Sequence, residues 1–393
     1  MRVLQVIPTL AARTGGPPTA VIESSRALQE CGVETTIFAT DMAEAASATY
    51  HARANASDLP EGAADLDVRL FPARWPRRLA FSPSMYAPLG QASRECDVVH
   101  IHSLFLFPQF AAFRQASARH TPYVVSPRGA LDPHLRQRSR AIKAITDLLW
   151  QRRCLEGASA LHLTSADERD LIPDIAPLVP RRVIPNGIRW SDYQRPPSGN
   201  AFRVRWLHGS GAPILMYLGR LSHKKRIDVL IRAFAIVAHE VPDAHLAIVG
   251  PDDEGLAPAL RTLAEREHVA GRVVFTGMLQ GEDKLSALAA ADVWALPSMT
   301  ENFGNAVVEA MAAGVAVVIS PQVNIAADVK ASGAGIVAER TPETFAAEII
   351  SLLGDDTHRL EIAERGRAFT RRYDWSIVGP KLAAMYEDIA RRN

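Results

Sequence analysis

Residues 300–309 read Thr300-Glu301-Asn302-Phe303-Gly304-Asn305-Ala306-Val307-Val308-Glu309. The apolar run before them, residues 293–297, is typical of a buried parallel strand, and the small apolar residues 305–313 predict a helix that ends at Gly314. Ligands of open α/β sheets collect beyond the carboxyl ends of strands, and free N–H groups at a helix N-terminus favour phosphate. The loop between the two elements is therefore predicted to bind a ligand.

Glu301 and Glu309 are carboxylates beside this predicted phosphate site. Because they would repel a phosphate, they are expected there only if they bind another part of the ligand. A carboxylate accepts two hydroxyl protons at once, and a sugar and a ribose on either side of a diphosphate offer such hydroxyls. The pattern therefore indicates a nucleotide sugar. The alternative is a surface role, because acidic residues in the first turn of a helix complement its dipole.

A second junction between strand and helix carries a group of cations. Residues 214–219 predict a strand, and residues 227–235 predict a helix. Five basic residues lie between them: Arg220, His223, Lys224, Lys225 and Arg226. Cations at a helix N-terminus oppose the dipole, and a bound anion would remove the conflict; solvated surface charges are the alternative.

Both junctions resemble motifs of the family 4 retaining glycosyltransferases. Residues 301–309 resemble the E-x(7)-E signature, residues 219–225 are similar to the G-R-L-x-x-x-K segment, and residues 183–188 resemble the V-I-P-N-G-I linker. Gly15-Gly16 fits the glycine-rich loop, so the resemblance runs from the first strand to about residue 375. It implies an α/β fold of the GT-B type, with two Rossmann-like, doubly wound parallel-sheet domains facing across a cleft.

The resemblance also implies residue roles. Arg220 and Lys225 would grip the diphosphate, Glu301 the transferred sugar, and Glu309 the ribose, with Gly16 near a phosphate. The remaining donor-binding candidates are the N–H groups of Asn302, Phe303, Gly304 and Asn305. For the Phe303 ring, contact with the ligand and simple packing against the helix are equal alternatives. Arg226 and Asn302 stand where the family has mostly glycine, so the loop path and the donor sugar do not carry over.

In the first half, the family often has a histidine where this chain reads Ser126-Pro127-Arg128-Gly129. This departure resembles the branch for bacterial capsular, exopolysaccharide and O-antigen assembly, and it makes Arg128 a candidate for contacting acceptor or donor. A structural arginine closing a turn is an equal alternative. His100 and His102 are expected to pack or to bond to the backbone.

Length and composition set the domain organisation. A chain of 393 residues predicts two domains, here residues 1–195 for the acceptor and 201–373 for the donor, separated by a turn-rich linker at 195–200. Residues 376–392 predict an amphipathic helix with Ile377, Leu382, Met385 and Ile389 on its apolar stripe. By resemblance, residues 374–393 return to the first domain. The net charge of +1 gives no indication of nucleic acid.

Cys31, Cys96 and Cys154 are widely spaced, so we expect buried free thiols rather than disulfides or a zinc site. The amino end predicts a first strand rather than a signal peptide, and no run is apolar enough for a transmembrane helix. Asp252-Asp253 is interpreted as a turn, so no metal site and no cofactor are expected. The nucleotide sugar is a substrate.

Residues 136–153 form a basic amphipathic stretch. Its cations are Arg136, Arg138, Arg140, Lys143, Arg152 and Arg153. Contact with an anionic membrane surface and ordinary solvation are equal alternatives. We expect a bacterial enzyme that acts in the cytoplasm. If the basic stretch contacts the membrane, we expect it to be peripheral on the cytoplasmic face of the inner membrane.

The resemblance thus implies a retaining hexosyltransferase that uses a GDP- or UDP-sugar and a glycan or lipid-linked glycan acceptor in cell-surface polysaccharide synthesis. The alternatives are a GT-B nucleotide-sugar epimerase and a non-catalytic nucleotide-sugar-binding module.

Overall fold

The structure is a computed structural model that describes residues 1–43, 59–60, 62–132, 140–172 and 176–392. The chain divides into two compact units. The first comprises Met1–Gly187 together with Trp375–Asn393, and the second comprises Ile188–Asp374. Of the helices in the described ranges, none is long and apolar enough to cross a bilayer.

The first unit is built on a seven-stranded parallel sheet with the order β3-β2-β1-β4-β5-β6-β7. Its strands are β1 (Arg2–Val6), β2 (Glu34–Thr40), β3 (Asp67–Phe71), β4 (Val98–His102), β5 (Tyr123–Ser126), β6 (Ala160–Leu163) and β7 (Arg181–Val183). Its helices are α1 (Gly16–Glu30), α2 (Tyr86–Glu95), α3 (Phe107–Ala118), α4 (Arg140–Thr146), α5 (Arg152–Glu156), α6 (Ala166–Leu171) and α15 (Trp375–Arg391). A π-helical turn, Asp147–Gln151, joins α4 to α5.

The central strands β4, β5 and β6 are buried along their whole length. Their sequences are largely apolar runs that contain three histidines and one serine, as expected where helices cover both faces of a parallel sheet.

Helix α15 completes the core of the first unit. Leu382, Met385 and Ile389 are buried as predicted, but Ile377 is 43% exposed, so its place on the apolar stripe was wrong. The buried face instead includes Trp375 and Val378, which lie seven and four residues before Leu382, a spacing that places all three on one side of the helix. Gly379 permits close approach to α1, since a Cβ there would lie 3.1 Å from the Cβ of Ala27.

The second unit has a six-stranded parallel sheet with the order β10-β9-β8-β11-β12-β13. Its strands are β8 (Ile214–Leu218), β9 (His245–Val249), β10 (Val273–Gly277), β11 (Val293–Leu296), β12 (Ala316–Ile319) and β13 (Ile336–Val337). Its helices are α7 (Asn200–Leu207), α8 (Ile227–Glu240), α9 (Ala257–Arg266), α10 (Gly281–Ala290), α11 (Asn305–Ala312), α12 (Ala326–Ala331), α13 (Pro342–Gly354) and α14 (Asp356–Thr370). The predicted α/β class with two parallel sheets is confirmed.

The boundary between the units differs from the predicted linker at 195–200. The second unit begins at Ile188, because Ile188 and Tyr193 are buried in its core. The predicted linker instead leads directly into α7, and Ser198 O accepts a hydrogen bond of 2.8 Å from Ser286 Oγ. Turn-forming residues therefore marked the start of a helix rather than a domain boundary.

All three cysteines are free thiols, but the expectation that all are buried was wrong. Cys154 is buried and Cys96 is half-buried, whereas Cys31 is exposed because it ends α1 at the turn into β2. Burial raises the pKa of the Cys96 thiol to about 12.

Candidate active site

Two loops of the second unit meet at one edge of its sheet. Strands β8 and β11 are paired neighbours, so the loop from β8 to α8 and the loop from β11 to α11 leave the sheet side by side. The carbonyl of Lys224 accepts hydrogen bonds from the Met299 N–H at 2.6 Å and from Ser298 Oγ at 3.1 Å. These bonds fix the loop from β8 to α8, called the cationic loop because it carries Arg220, Lys224 and Lys225, against the loop that carries Glu301.

Glycine is required at two points of this edge. Gly304 has a φ of +87° and precedes the first residue of α11, a left-handed conformation that a larger side chain would strain. At Gly250, which follows β9, a Cβ would lie 2.0 Å from the carbonyl oxygen of Gly219. The backbone therefore passes close to the cationic loop only because no side chain is present.

Lys225 and Glu301 form a close ion pair between the two loops, and their side chains are only 12% and 14% exposed. Lys224 Nζ lies 4.0 Å from the other carboxylate oxygen of Glu301. Arg220 lies on the same loop, and its guanidinium is 3.7 Å from Asp253. The structure thus brings together three sequence-predicted residues, Arg220, Lys225 and Glu301, and adds Lys224 to them.

The charges of this cluster do not balance. Arg220, Lys224 and Lys225 supply three positive charges, and Glu301 and Asp253 supply two negative ones, which leaves a net charge of +1. Burial alone would raise the pKa of Glu301, but the nearby cations, Lys225 first, outweigh it and lower that pKa to about 2. The pKa of Lys225 is also lowered, chiefly by burial and further by its cationic neighbours.

The backbone of Glu301 is held as firmly as its side chain. Its N–H donates to Gln322 O, and its carbonyl accepts from the Asn324 N–H, both at 3.0 Å. Arg340 supports the same loop, since it donates to Ser298 O at 3.3 Å and to Gln322 Oε1 at 3.0 Å. The carboxylate is therefore placed by rigid backbone contacts.

Glu309 lies about one turn along α11 and has a different partner. Its carboxylate lies 3.3 Å from Lys284 Nζ of α10, and the phenol of Tyr193 also bonds to Lys284. Burial alone would lower the pKa of Lys284, but Glu309 and Tyr193 outweigh it and raise that pKa. Sequence reasoning missed Lys284 and Tyr193, because no motif links them to Glu309.

The Phe303 ring packs in the core. It is 3% exposed and meets the Tyr373 ring edge-on with centroids 5.3 Å apart. The packing alternative therefore holds for the ring, while the N–H groups at residues 302–305 lie at the start of α11 as predicted. Asn302 and Asn305 are half-buried there.

Asp252 and Asp253 occupy the turn that the sequence indicated. The two carboxylate oxygens of Asp252 accept from the N–H groups of Leu256 and Ala257 at 2.7 and 2.9 Å, at the start of α9. Asp253 faces Arg220 instead. The two side chains thus have different partners.

Gly16 and Arg128, the two candidates from the first half, lie in the first unit. Gly16 is the first residue of α1, after the turn at Gly15. Arg128 has a φ of +54° and donates to Asn186 Oδ1 at 2.7 Å, with His102 Nδ1 at 3.2 Å. These contacts fit the structural alternative for Arg128.

A chain of buried polar side chains lies under Arg128. His100 bonds to Tyr386 OH at 2.6 Å and to Ser126 Oγ at 2.7 Å, and Ser126 Oγ bonds to His162 at 2.8 Å. His100 and His102 are buried, which fits the packing that was expected for them, and their ring nitrogens bond to side chains rather than to the backbone. Burial lowers the pKa of all three histidines, that of His162 to about 3.

The predicted basic stretch is described in part. Arg136 and Arg138 lie outside the described residues, and the segment from α4 to α5 follows them. Ile145, Leu148 and Leu149 are 58%, 83% and 64% exposed, so this segment presents apolar side chains to solvent.

Two family models match the chain. The model of glycosyl transferases group 1 matches residues 200–369, and that of the glycosyl transferase 4-like domain matches residues 15–187. A phosphatidyl-myo-inositol mannosyltransferase of Mycobacterium tuberculosis is 30% identical over 336 residues, which cover 80% of each chain. A D-inositol 3-phosphate glycosyltransferase of Corynebacterium urealyticum is 30% identical over 184 residues, 45% of this chain and 43% of that protein.

Solved structures share the fold over the whole chain. Sucrose-phosphate synthase from Thermosynechococcus elongatus superposes with a TM-score of 0.80 at 19% identity and full coverage of both chains. Anabaena HepE in complex with UDP and glucose has a TM-score of 0.79 at 19% identity, covering 99% of this chain and all of that one. At this identity the likeness establishes the fold.

Proposed function

Because the chain belongs to the family 4-type glycosyltransferases and has their GT-B fold, we propose that it is a retaining hexosyltransferase. The donor is a GDP- or UDP-sugar, and the acceptor is a glycan or a lipid-linked glycan. The named relatives act as a mannosyltransferase on phosphatidyl-myo-inositol and as a glycosyltransferase on D-inositol 3-phosphate. Both names support a hydroxyl acceptor, and the product would serve cell-surface polysaccharide or glycolipid synthesis.

The observation that carries this proposal is the uncompensated positive charge around Glu301. A buried carboxylate beside three cations accepts sugar hydroxyls without repelling a diphosphate, because the cluster remains positive overall. Arg220 and Lys225 hold the phosphate oxygens, with the N–H groups of residues 302–305 at the start of α11 as further donors. Glu309 accepts the ribose hydroxyls while Lys284 holds its carboxylate in place.

The reaction breaks the bond between the anomeric carbon and the phosphate oxygen, and negative charge grows on that oxygen. Arg220 and Lys225 stabilise this charge. The acceptor hydroxyl attacks from the face that the phosphate leaves, and its proton passes to a phosphate oxygen. The anomeric configuration is thereby retained, and no protein nucleophile takes part.

We propose that transfer needs no metal ion. The cationic cluster supplies the charge that a divalent metal would otherwise bring to the diphosphate. Both oxygens of Asp252 already accept N–H groups, and Asp253 faces Arg220, so this acidic pair is used within the protein.

We also propose a cytoplasmic site of action with peripheral contact to an anionic membrane through the basic stretch 136–153. Exposed Leu148 and Leu149 beside these cations support it. Liposome flotation tests it: replacing Arg136, Arg140 and Lys143 with glutamine should weaken binding to phosphatidylglycerol vesicles. Equal binding to phosphatidylcholine vesicles would reject this location.

A nucleotide-sugar panel tests the donor. A ligand at one hundred times its dissociation constant stabilises the folded protein by about 2.7 kcal/mol, so one of the UDP-, GDP- or ADP-sugars should raise the melting temperature. Glu309→Ala should reduce that rise. With the donor found, NMR of the first-formed free sugar in slow donor hydrolysis shows the configuration, and inversion would refute a retaining mechanism.

A further inference from the structure

The first unit contains a cavity of about 580 Å³ between α2, α3 and the π-helical turn. Phe107, Phe110 and Phe113 line it from one face of α3, at a spacing of three residues, and all three rings are half-buried. A surface helix ordinarily turns such a face into the core. Here the aromatic face lines an open space of the size that small-molecule ligands occupy.

Aromatic residues from other elements complete the wall. The Trp150 ring meets the Phe110 ring edge-on at a centroid distance of 5.5 Å, and the Phe81 ring meets the Phe107 ring at 5.0 Å. Leu149 also lines the cavity while 64% of its surface remains exposed. The rings thus hold one another in a preformed apolar wall that extends to the protein surface.

The charged residues of the wall all have one sign. Arg114 and Arg153 line the same cavity, and both are exposed. No acidic side chain of the described residues lines it, and neither arginine has an ion pair there. Arg152, one residue before Arg153, pairs with Glu156 at 2.7 Å, so the two cavity arginines differ from this neighbour in having no carboxylate partner within the described part of the chain.

We propose that this cavity binds the apolar chain of an anionic lipid, whose phosphate is held by Arg114 and Arg153. A chain of methylene groups buries its surface against aromatic rings, and a phosphate can form charge-assisted hydrogen bonds with two guanidinium groups that have no carboxylate partner among the described residues. An uncharged apolar ligand would leave both cations unmatched. This inference rests on the proposed function in one respect, because it assigns the lipid to the acceptor of the transfer.

Dodecyl phosphate, used below its micelle-forming concentration, is the probe for the full-length protein in the absence of donor. Isothermal titration calorimetry should show one bound molecule, and dodecyl maltoside, which has the same chain and an uncharged head, should bind at least about tenfold more weakly. Equal affinity for the two amphiphiles, or no binding of dodecyl phosphate, would overturn the proposal.

Variants locate the site. Leu149→Gln changes an exposed side chain and Phe110→Gln a half-buried one, and each should weaken dodecyl phosphate binding roughly tenfold through lost apolar contact. The double variant Arg114→Gln/Arg153→Gln should weaken it by roughly the same factor. Arg94→Gln is the matched control and should bind like the wild type, because Arg94 is an exposed arginine of α2 that does not line the cavity. If the double variant and Leu149→Gln both bind like this control, the cavity is not the site.

Two further measurements separate this inference from its alternatives. If the variants lose binding to phosphatidylglycerol vesicles but keep dodecyl phosphate binding, the surface docks on a bilayer and the chain-binding proposal is wrong. A wild type that responds to a nucleotide sugar but not to dodecyl phosphate refutes only the lipid site. A wild type that binds dodecyl phosphate but responds to none of the nucleotide sugars refutes the proposed transfer instead.

Discussion

Replacing Lys225 with methionine removes one charge from the cationic cluster while keeping the length of the side chain. The wild-type cluster carries three positive and two negative charges, so its net charge is 3 − 2 = +1, and the variant cluster is neutral. One unit charge about 5 Å from a phosphate oxygen is worth roughly 3 kcal/mol at an effective dielectric constant of about 20. This value is the upper bound for the loss.

Part of that energy is already present when the donor binds, and the rest appears as the leaving oxygen gains charge. A charge-assisted hydrogen bond contributes about 1.5–3 kcal/mol, so we expect turnover to fall about 10- to 100-fold with a smaller change in donor affinity. Arg220→Ala should behave similarly. Arg220→Lys should restore activity only in part, because an ammonium group cannot make a two-pronged phosphate contact.

The assay is release of nucleoside diphosphate at saturating donor, measured with the nucleotide sugar that the stability panel selects. Lys330→Met is the matched control, since Lys330 is an exposed lysine of α12 in the same unit. Lys224 does not serve as a control, because it lies 4.0 Å from Glu301. Unchanged turnover in Lys225→Met, or an equal loss in Lys330→Met, would refute the role of the cluster in leaving-group stabilisation.

Three further outcomes follow from the same unit. Glu301 has a folded-state pKa of about 2 against an ordinary value of 4.5, so the stability it contributes is present above about pH 4.5 and is lost as the pH falls towards 2. The melting temperature of Glu301→Gln should therefore vary less between pH 5 and pH 2 than that of the wild type. If the melting temperatures of both proteins fall equally over this pH range, the pairing of Glu301 with Lys225 is contradicted. Glu309→Ala should weaken nucleotide binding with little change in turnover, because ribose contacts hardly alter during the reaction; a pure loss of turnover would argue against a ribose role. Transfer should persist in excess EDTA, and activity that is lost there and restored by magnesium or manganese would show a metal requirement.

The repeating pattern of apolar runs was sufficient to predict both sheets. Short runs such as residues 293–297 become fully buried parallel strands, because helices cover both faces. Boundaries were harder to predict. The turn-forming residues at 195–200 fit a linker between domains as well as they fit the turn before a helix. Only the burial of Ile188 and Tyr193 in the second core places the domain boundary earlier.

The site was predictable where its residues follow strand ends in sequence. Arg220, Lys225 and Glu301 each lie just beyond a strand, and pairing of β8 with β11 brings them together. Lys284 reaches Glu309 from another helix at a distance that no sequence spacing encodes. The cavity behind Phe110 was also not foreseen, because half-buried phenylalanines at a helical spacing look the same as core residues until their neighbours are known.

The last helix belongs to the unit that the first 187 residues begin, and this order has a consequence for synthesis. Tyr386 bonds to His100 in the middle of the first sheet, and Val378, Leu382 and Ile389 fill the core beside α1. A ribosome therefore finishes the whole second unit before it delivers the residues that close the first. Until then the early core remains partly uncovered, so the first unit reaches its final packing late, through contacts between segments that lie roughly 200 residues apart in the sequence.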